Sequence, residues 1–316
     1  STLHNTLFPY TTLFRSIHDP ELIPLARLLK RRLDAPVIYD MHEDYWTKGA
    51  VLGRVLRILE RWCFRWVDHV LLAEKSYRAI VEDTPAEHTY IANYFKPIGE
   101  AGKADDGQDQ APTPPPTRLL YTGTVANSRG LRTMLNLASA VRERDRPERL
   151  DIVGICRYPD QRAAEEMRIE EEGLGPVVTR VGWDTYVPPS EMRPYYHRAD
   201  VGLSLFEPHP NAVRSMLTKF YEYMHYGLPV ICSDFPLWRA FVEEHECGAV
   251  VPPGDVEAVL DVLDRWRRHP EEYRRCSRNA QAAASQYRWE KMGKQLVQVY
   301  RRVLGDVEES EAGSIR

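Results

Sequence analysis

Apolar positions along this chain fall into two alternating rhythms. Short continuous runs such as Val37-Ile38-Tyr39, Val70-Leu71-Leu72-Ala73 and Val230-Ile231-Cys232 have the length of buried strands. Between them lie stretches where apolar residues recur every three or four positions, as in Leu22, Ile23, Leu25, Ala26, Leu28, Leu29 and Leu33. The spacing predicts helices over 20–33, 51–67 and 75–82, with strands over 36–40, 70–73 and 89–92. After a Pro- and Gly-containing stretch, it predicts strands over 118–123, 150–153, 177–181, 201–205 and 230–232. Helices are expected over 130–143, 160–172, 190–198, 236–244, 255–268 and 286–304, with a short one starting near Thr218. Helices alternating with short apolar strands predict parallel sheets covered on both faces, an α/β class of doubly wound domains.

This rhythm divides the chain. Residues 1–16 show no helical or strand period, resemble translated adapter read-through, and read as an artefactual or disordered leader, outside the fold reasoning. Residues 17–96 form a first Rossmann-like domain. Residues 97–117, with Pro112, Pro114, Pro115 and Pro116, read as a flexible linker. A second domain spans 118–285, a last helix spans 286–305, and 306–316 is a tail.

Candidate chemistry clusters at the ends of predicted strands, where open α/β sheets place their ligands. Thr218 to Ile231 reads as a short helix, a glycine stop and a buried strand. Lys219 and Glu222 are three apart and share a helical face. Ser215 or Thr218 could cap the helix, and Gly227 suits the left-handed position after it. A cation in the first turn with a carboxylate one turn on suits a nucleotide diphosphate, the cation for phosphate and the carboxylate for ribose. Gly123, Thr124 and Arg129 sit in a strand–turn–helix stretch where backbone and guanidinium could meet an anion. Asp40, His42 and Asp44 follow a first-domain strand. Ser233 and Asp234 follow another and suit a cleft rim.

The Lys219/Glu222 stretch resembles the donor motif of GT-B glycosyltransferases of the large retaining family 4, the group 1 transferases. The His18-Asp19-Pro20 turn and the Tyr39-Asp40-Met41-His42-Glu43-Asp44 strand end are similar to first-domain features of that family. The resemblance covers nearly all of 17–305. It implies two Rossmann-like domains facing a cleft, with the last helix packing back on the first domain. The further strands with which the family's first domain begins are not in this sequence, so that domain is expected to be incomplete. It implies transfer of a sugar from a nucleotide-diphosphate sugar, with retention and without a metal or other cofactor. Arg129 then falls where relatives hold the diphosphate, and Lys219 and Glu222 meet phosphate and ribose. His42 lies near the sugar and reacting centre, while His18 is read as structural. Glu207 and His209, with Asp44, are candidate sugar or acceptor contacts.

Two positions depart from the family pattern. Thr124 stands where many relatives carry a second basic residue. Arg214 stands where many carry the first Glu of an E-x7-E pair, so Arg214 is read as a further phosphate contact. Two rival readings remain: a sugar-nucleotide epimerase on the same fold, and a non-catalytic nucleotide-sugar-binding subunit.

Composition narrows the field further. The net charge of −4 over 316 residues gives no case for nucleic-acid binding. Five scattered cysteines without a C-x-x-C pair argue for a reducing compartment and against a zinc or iron–sulfur site. No apolar run is long enough to span a bilayer. Arg54, Arg57, Arg61 and Arg65 recur beside Leu, Trp and Phe on helix 51–67, a candidate membrane-surface face that an ordinary helix packed on its own sheet would also explain. The expected setting is bacterial and cytoplasmic, peripheral at the inner membrane face, with a polysaccharide or lipid-linked acceptor.

Overall fold

The computed structural model describes residues 15–33, 36–42, 50–97 and 117–304. The chain forms two compact units. One joins the described residues up to Asn93 with the last helix, and the other is Tyr94–Arg288. Most of the leader, most of the predicted linker, the tail and Asp44 lie outside the described residues.

The first unit is a parallel sheet of four strands in the order β1 (Arg15–Ile17), β2 (Val37–Met41), β3 (His69–Leu72), β4 (Glu87–Tyr90). Helices α1 (Leu25–Leu33), α2 (Ala50–Cys63) and the short α3 (Arg78–Val81) connect them. Two sequence boundaries shift. β1 begins at Arg15, inside the stretch set aside as a leader, because Arg15 and Ser16 pair with Val37 and Ile38 through backbone alone. Pro24 splits the helix expected over 20–33 into a 3-10 turn at Pro20–Leu22 and α1, since proline donates no N–H to a continuing ladder. The core of this unit gathers Ile23, Tyr39, Met41, Phe64 and Leu72. Within it the Tyr39 hydroxyl donates to the buried Glu60 carboxylate at 3.0 Å.

The second unit is a six-stranded parallel sheet. Its strands are β5 (Arg118–Thr122), β6 (Arg149–Val153), β7 (Val178–Val181), β8 (Val201–Ser204), β9 (Val230–Ser233) and β10 (Gly248–Val251). They lie in the order β10-β9-β8-β5-β6-β7, which is the doubly wound 3-2-1-4-5-6 arrangement read from its far edge. The connecting helices are α4 (Leu131–Glu143), α5 (Pro159–Glu171), α6 (Pro189–Arg198), α7 (Pro210–Arg214), α8 (Thr218–His225) and α9 (Pro236–His245). Two more, α10 (Val256–Arg268) and α11 (Pro270–Ala283), follow β10, while α12 (Trp289–Leu304) belongs to the first unit. The sequence reading missed β10, α7 and α11.

β5 and β8 are neighbours at the point where strand order reverses. Their ladder holds only Leu119↔Val201 and Leu120↔Gly202. Beyond it the Tyr223 hydroxyl from α8 serves both strands, donating to the Leu120 carbonyl at 3.2 Å and the Leu203 carbonyl at 3.1 Å. Gly202 makes room for that ring, because a Cβ there would lie 2.3 Å from it. α8 is thereby locked against the switch point of the sheet. Its far end closes with Gly227 at φ +64 and the Leu228 N–H bonded to the Tyr223 carbonyl at 2.9 Å, the glycine stop that the sequence implied.

Candidate active site

Four segments converge on the carboxyl ends of β5 and β8, where a doubly wound sheet holds its ligands. They are the turn after β5, the turn after β6, the segment after β8, and the first turn of α8.

Lys219 is 6% exposed, and its ammonium has no hydrogen-bond partner. It lies 3.7 Å from the centre of the Tyr121 ring and 5.0 Å from that of Phe206. Aromatic faces compensate a buried cation by about 2 kcal/mol, well short of the several kcal/mol that desolvation costs it. Burial, with Arg129 adding like charge, therefore pulls the Lys219 pKa well below its ordinary value. No side chain caps the start of α8, whose cap position is Leu217 rather than the expected Ser215 or Thr218.

Gly123 follows β5 with φ +109, and Lys219 Nζ lies 3.8 Å from where its Cβ would be. Gly154, after β6, packs back to back against it: a Cβ on Gly154 would fall 1.8 Å from the Gly123 carbonyl oxygen. The two turns thus fix each other's backbone. Tyr121 braces the same turn by donating to the Thr124 carbonyl at 2.6 Å. Arg129 is half-buried, with its guanidinium 5.7 Å from the Phe206 ring.

Glu222 does not form an ion pair with Lys219, although the two share a face as expected. Its Oε2 accepts from the Tyr196 hydroxyl at 2.6 Å and from Thr122 Oγ1 at 3.5 Å. Tyr196 and Thr122 come from α6 and β5, distant in sequence, so helical spacing could not reveal them. Burial pushes the Glu222 carboxyl above its usual range, against the pull of Tyr196 and Lys219.

A cavity of about 620 Å³ opens beside these groups, and Thr124, Arg129, Arg157, Tyr158, Phe206 and His209 are among its walls. Its size suits a sugar nucleotide. Arg157 and Tyr158 were not singled out from sequence, because they follow a glycine turn without a motif. Two further polar atoms at these strand ends are buried without partners, Asn127 Oδ1 and Ser204 Oγ. Glu207 is half-buried and its N–H donates to the Ser128 carbonyl at 3.2 Å. Arg214 ends α7 exposed and is not among the cavity walls.

The first unit holds its own cluster. His42 Nε2 lies 2.9 Å from Asp40 Oδ2, and His18 Nδ1 lies 3.4 Å from the same oxygen. Burial alone would raise the Asp40 pKa, but the hydrogen bonds from both imidazoles outweigh it and hold the carboxyl below its usual range. His18, read from sequence as structural, is therefore part of the group that contains His42.

The Lys219 ammonium thus lies over a glycine turn, one helical turn from the Glu222 carboxylate. A family model for glycosyl transferases group 1 matches residues 116–268, and one for the glycosyl transferase 4-like domain matches residues 15–91. Together they span well over half of the sequence, and the chain belongs to this glycosyltransferase family. Solved structures agree on a GT-B fold. Sucrose-phosphate synthase from Thermosynechococcus elongatus superposes with a TM-score of 0.68 at 19% identity, covering 96% of this chain and 76% of that one. Anabaena HepE in complex with UDP-glucose gives 0.68 at 13% identity, covering 91% of this chain and 78% of that one. Among curated proteins, the D-inositol 3-phosphate glycosyltransferase of Corynebacterium urealyticum is 28% identical over 197 residues. That match takes in 61% of this chain and 44% of the relative's length.

Proposed function

We propose that the protein transfers a sugar from a nucleotide-diphosphate donor to a glycan or lipid-linked acceptor, with retention of configuration and without a metal at the diphosphate. The observation that carries this reading is the Lys219 ammonium, buried without a hydrogen-bond acceptor at the glycine turn after β5. A buried charge in that state calls for an anion, and a diphosphate supplies one.

Bond cleavage between sugar and diphosphate leaves negative charge on the leaving phosphate. Lys219, Arg129 and the positive dipole end at the start of α8 would meet that charge. Losing one such preorganised group costs about 3–4 kcal/mol of transition-state stabilisation. Glu222 would accept from the ribose hydroxyls through the oxygen that Tyr196 does not occupy. Thr124 and Arg214 join the proposal as further phosphate contacts, with Glu207 and His209 on the sugar side. His42 would contact the sugar or leaving phosphate, its tautomer held by Asp40.

Peripheral membrane contact belongs to the same proposal. α2 exposes Val55, Ile58, Leu59 and Trp62 together with Arg54, and Arg65 is exposed in the 3-10 turn that follows. An apolar and cationic face suits a surface of anionic lipid headgroups, where a lipid-linked acceptor would be found. No helix among the described residues is long and apolar enough to cross a membrane.

The experiment is a thermal-shift and calorimetry panel with UDP, GDP, ADP and their sugar conjugates, on wild type and Glu222→Ala. Ligand at 100 times its dissociation constant should add about 2.7 kcal/mol of stability. One nucleotide stabilising wild type and not the variant supports the reading and names the base. No response from folded protein would sink it, and donor converted without any acceptor would point to an epimerase instead.

A further inference from the structure

The pairing of β1 with β2 runs Arg15↔Val37, Ser16↔Ile38, Ile17↔Tyr39, so its next step sets His18 beside Asp40. Side chains two apart on an extended chain share a face, which brings His42 to the same side as Asp40. The ligand atoms His18 Nδ1, Asp40 Oδ2 and His42 Nε2 all lie within 4.8 Å of one another. The two imidazole rings are nearly parallel, inclined by 9° with centroids 5.9 Å apart, and both turn an edge to the carboxylate.

We infer that His18, Asp40 and His42 form a binding site for one divalent transition metal of the zinc class. Ligands about 2.0–2.1 Å from a tetrahedral zinc stand about 3.3 Å from each other. The measured carboxylate–imidazole separations of 2.9 and 3.4 Å bracket that edge. An outer support is also in place. The other ring nitrogen of His18, Nε2, lies 3.0 Å from the Ser16 hydroxyl. A partner on the second ring nitrogen fixes which nitrogen faces a metal. Three protein ligands would leave the fourth position open to solvent. Two imidazoles with a single carboxylate favour zinc, cobalt or nickel over magnesium or calcium, which prefer oxygen.

The site stands on the first unit alone and does not rest on the transferase reading. It would compete with a sugar contact for His42, so each can fail without the other.

The test uses the full chain stripped of metal by a chelator. Cobalt(II) is titrated while its visible absorption is followed, and zinc is then titrated in competition with a chromophoric zinc indicator. The expected result is one equivalent of cobalt with tetrahedral-type absorption, displaced by zinc. His18→Ala and His42→Ala should each weaken zinc binding by more than about a hundredfold, and Ser16→Ala by about tenfold. Both histidines are 43–49% exposed, so the alanine variants should keep the wild-type melting curve without metal. Zinc bound equally well by His18→Ala, an equal loss in the remote variant His269→Ala, or failure of the wild type to compete with the indicator would each overturn the assignment.

Discussion

The ammonium of Lys219 rests 3.7 Å above the Tyr121 ring while its neighbour on the helix face, Glu222, turns away to the Tyr196 hydroxyl at 2.6 Å. Two opposite charges placed to neutralise each other are instead held apart by third parties. Lys219 is thus buried without a counter-charge, which disfavours its charged form.

Replacing that cation should therefore help the empty protein. Lys219→Met removes an unpartnered buried charge and keeps most of the volume. It should raise stability by about 1–3 kcal/mol in denaturant melts, while abolishing stabilisation by any nucleoside diphosphate. A variant less stable than wild type, yet still responsive to nucleotide, would show that Lys219 is already satisfied.

Proton uptake on binding follows from the same imbalance. Burial lowers the Lys219 pKa in the free protein, and a bound diphosphate favours the charged form and raises it. Binding should take up a proton and strengthen as pH falls from the bound-state pKa to the free-protein pKa, levelling off below the latter, which lies under the ordinary lysine value of 10.5. Calorimetry at one pH in two buffers of different ionisation enthalpy reads this directly. Identical enthalpies from neutrality up to that value would count against the idea.

On the proposed reading, Tyr196 would act on the ribose through Glu222, to which its hydroxyl donates. Removing its hydroxyl deprives a half-buried carboxylate of its shortest hydrogen bond, a loss of about 1.5–3 kcal/mol for bonds to charged groups. Tyr196→Phe should thus lower stability and push the Glu222 pKa further up, weakening nucleotides and their sugar conjugates alike. Unchanged affinity would place the ribose elsewhere.

Gly154, after β6, packs against the proposed diphosphate turn at Gly123. A methyl there would strike the Gly123 carbonyl at 1.8 Å, and φ +143 is strained for any other residue. Gly154→Ala should cost about 1–3 kcal/mol or more. It should also weaken nucleotide binding, measurable by calorimetry on the fraction that remains folded.

Membrane contact is tested by cosedimentation with anionic and neutral vesicles. Binding should require anionic lipid and weaken with salt. It should fall with Ile58→Glu, at a position 69% exposed on α2. Binding indifferent to that change would remove α2 as the contact.

Much of this was readable before any coordinates. The strand–helix alternation, the glycine stop at Gly227 and the shared face of Lys219 and Glu222 all follow from local spacing, and local spacing is what a sequence displays. The partners of those residues do not. Tyr196 reaches Glu222 across 26 positions, and Thr122 across 100. Nothing in the composition of α6 marks Tyr196 apart from its neighbours. α11 escaped notice because its buried face is Tyr273, Cys276, Ala280 and Ala283, mostly small residues in a polar helix. β10 escaped because Gly248 opens a strand of only four residues. His18 was set aside because the register that brings it to Asp40 is a property of two strands together.

The helix α12 carries a consequence for how the protein is made. Its Met292 and Val299 are buried, Met292 sulfur accepts from the Ala92 N–H at 3.3 Å, and Arg302 lies 3.7 Å from Glu87. All of these partners were synthesised some two hundred residues earlier. On the ribosome, the four-stranded sheet emerges some two hundred residues before the helix that packs on it. The stretch from Tyr94 to Arg288 is unbroken in sequence and can complete its own core meanwhile. The later-made unit is thus the one equipped to fold first.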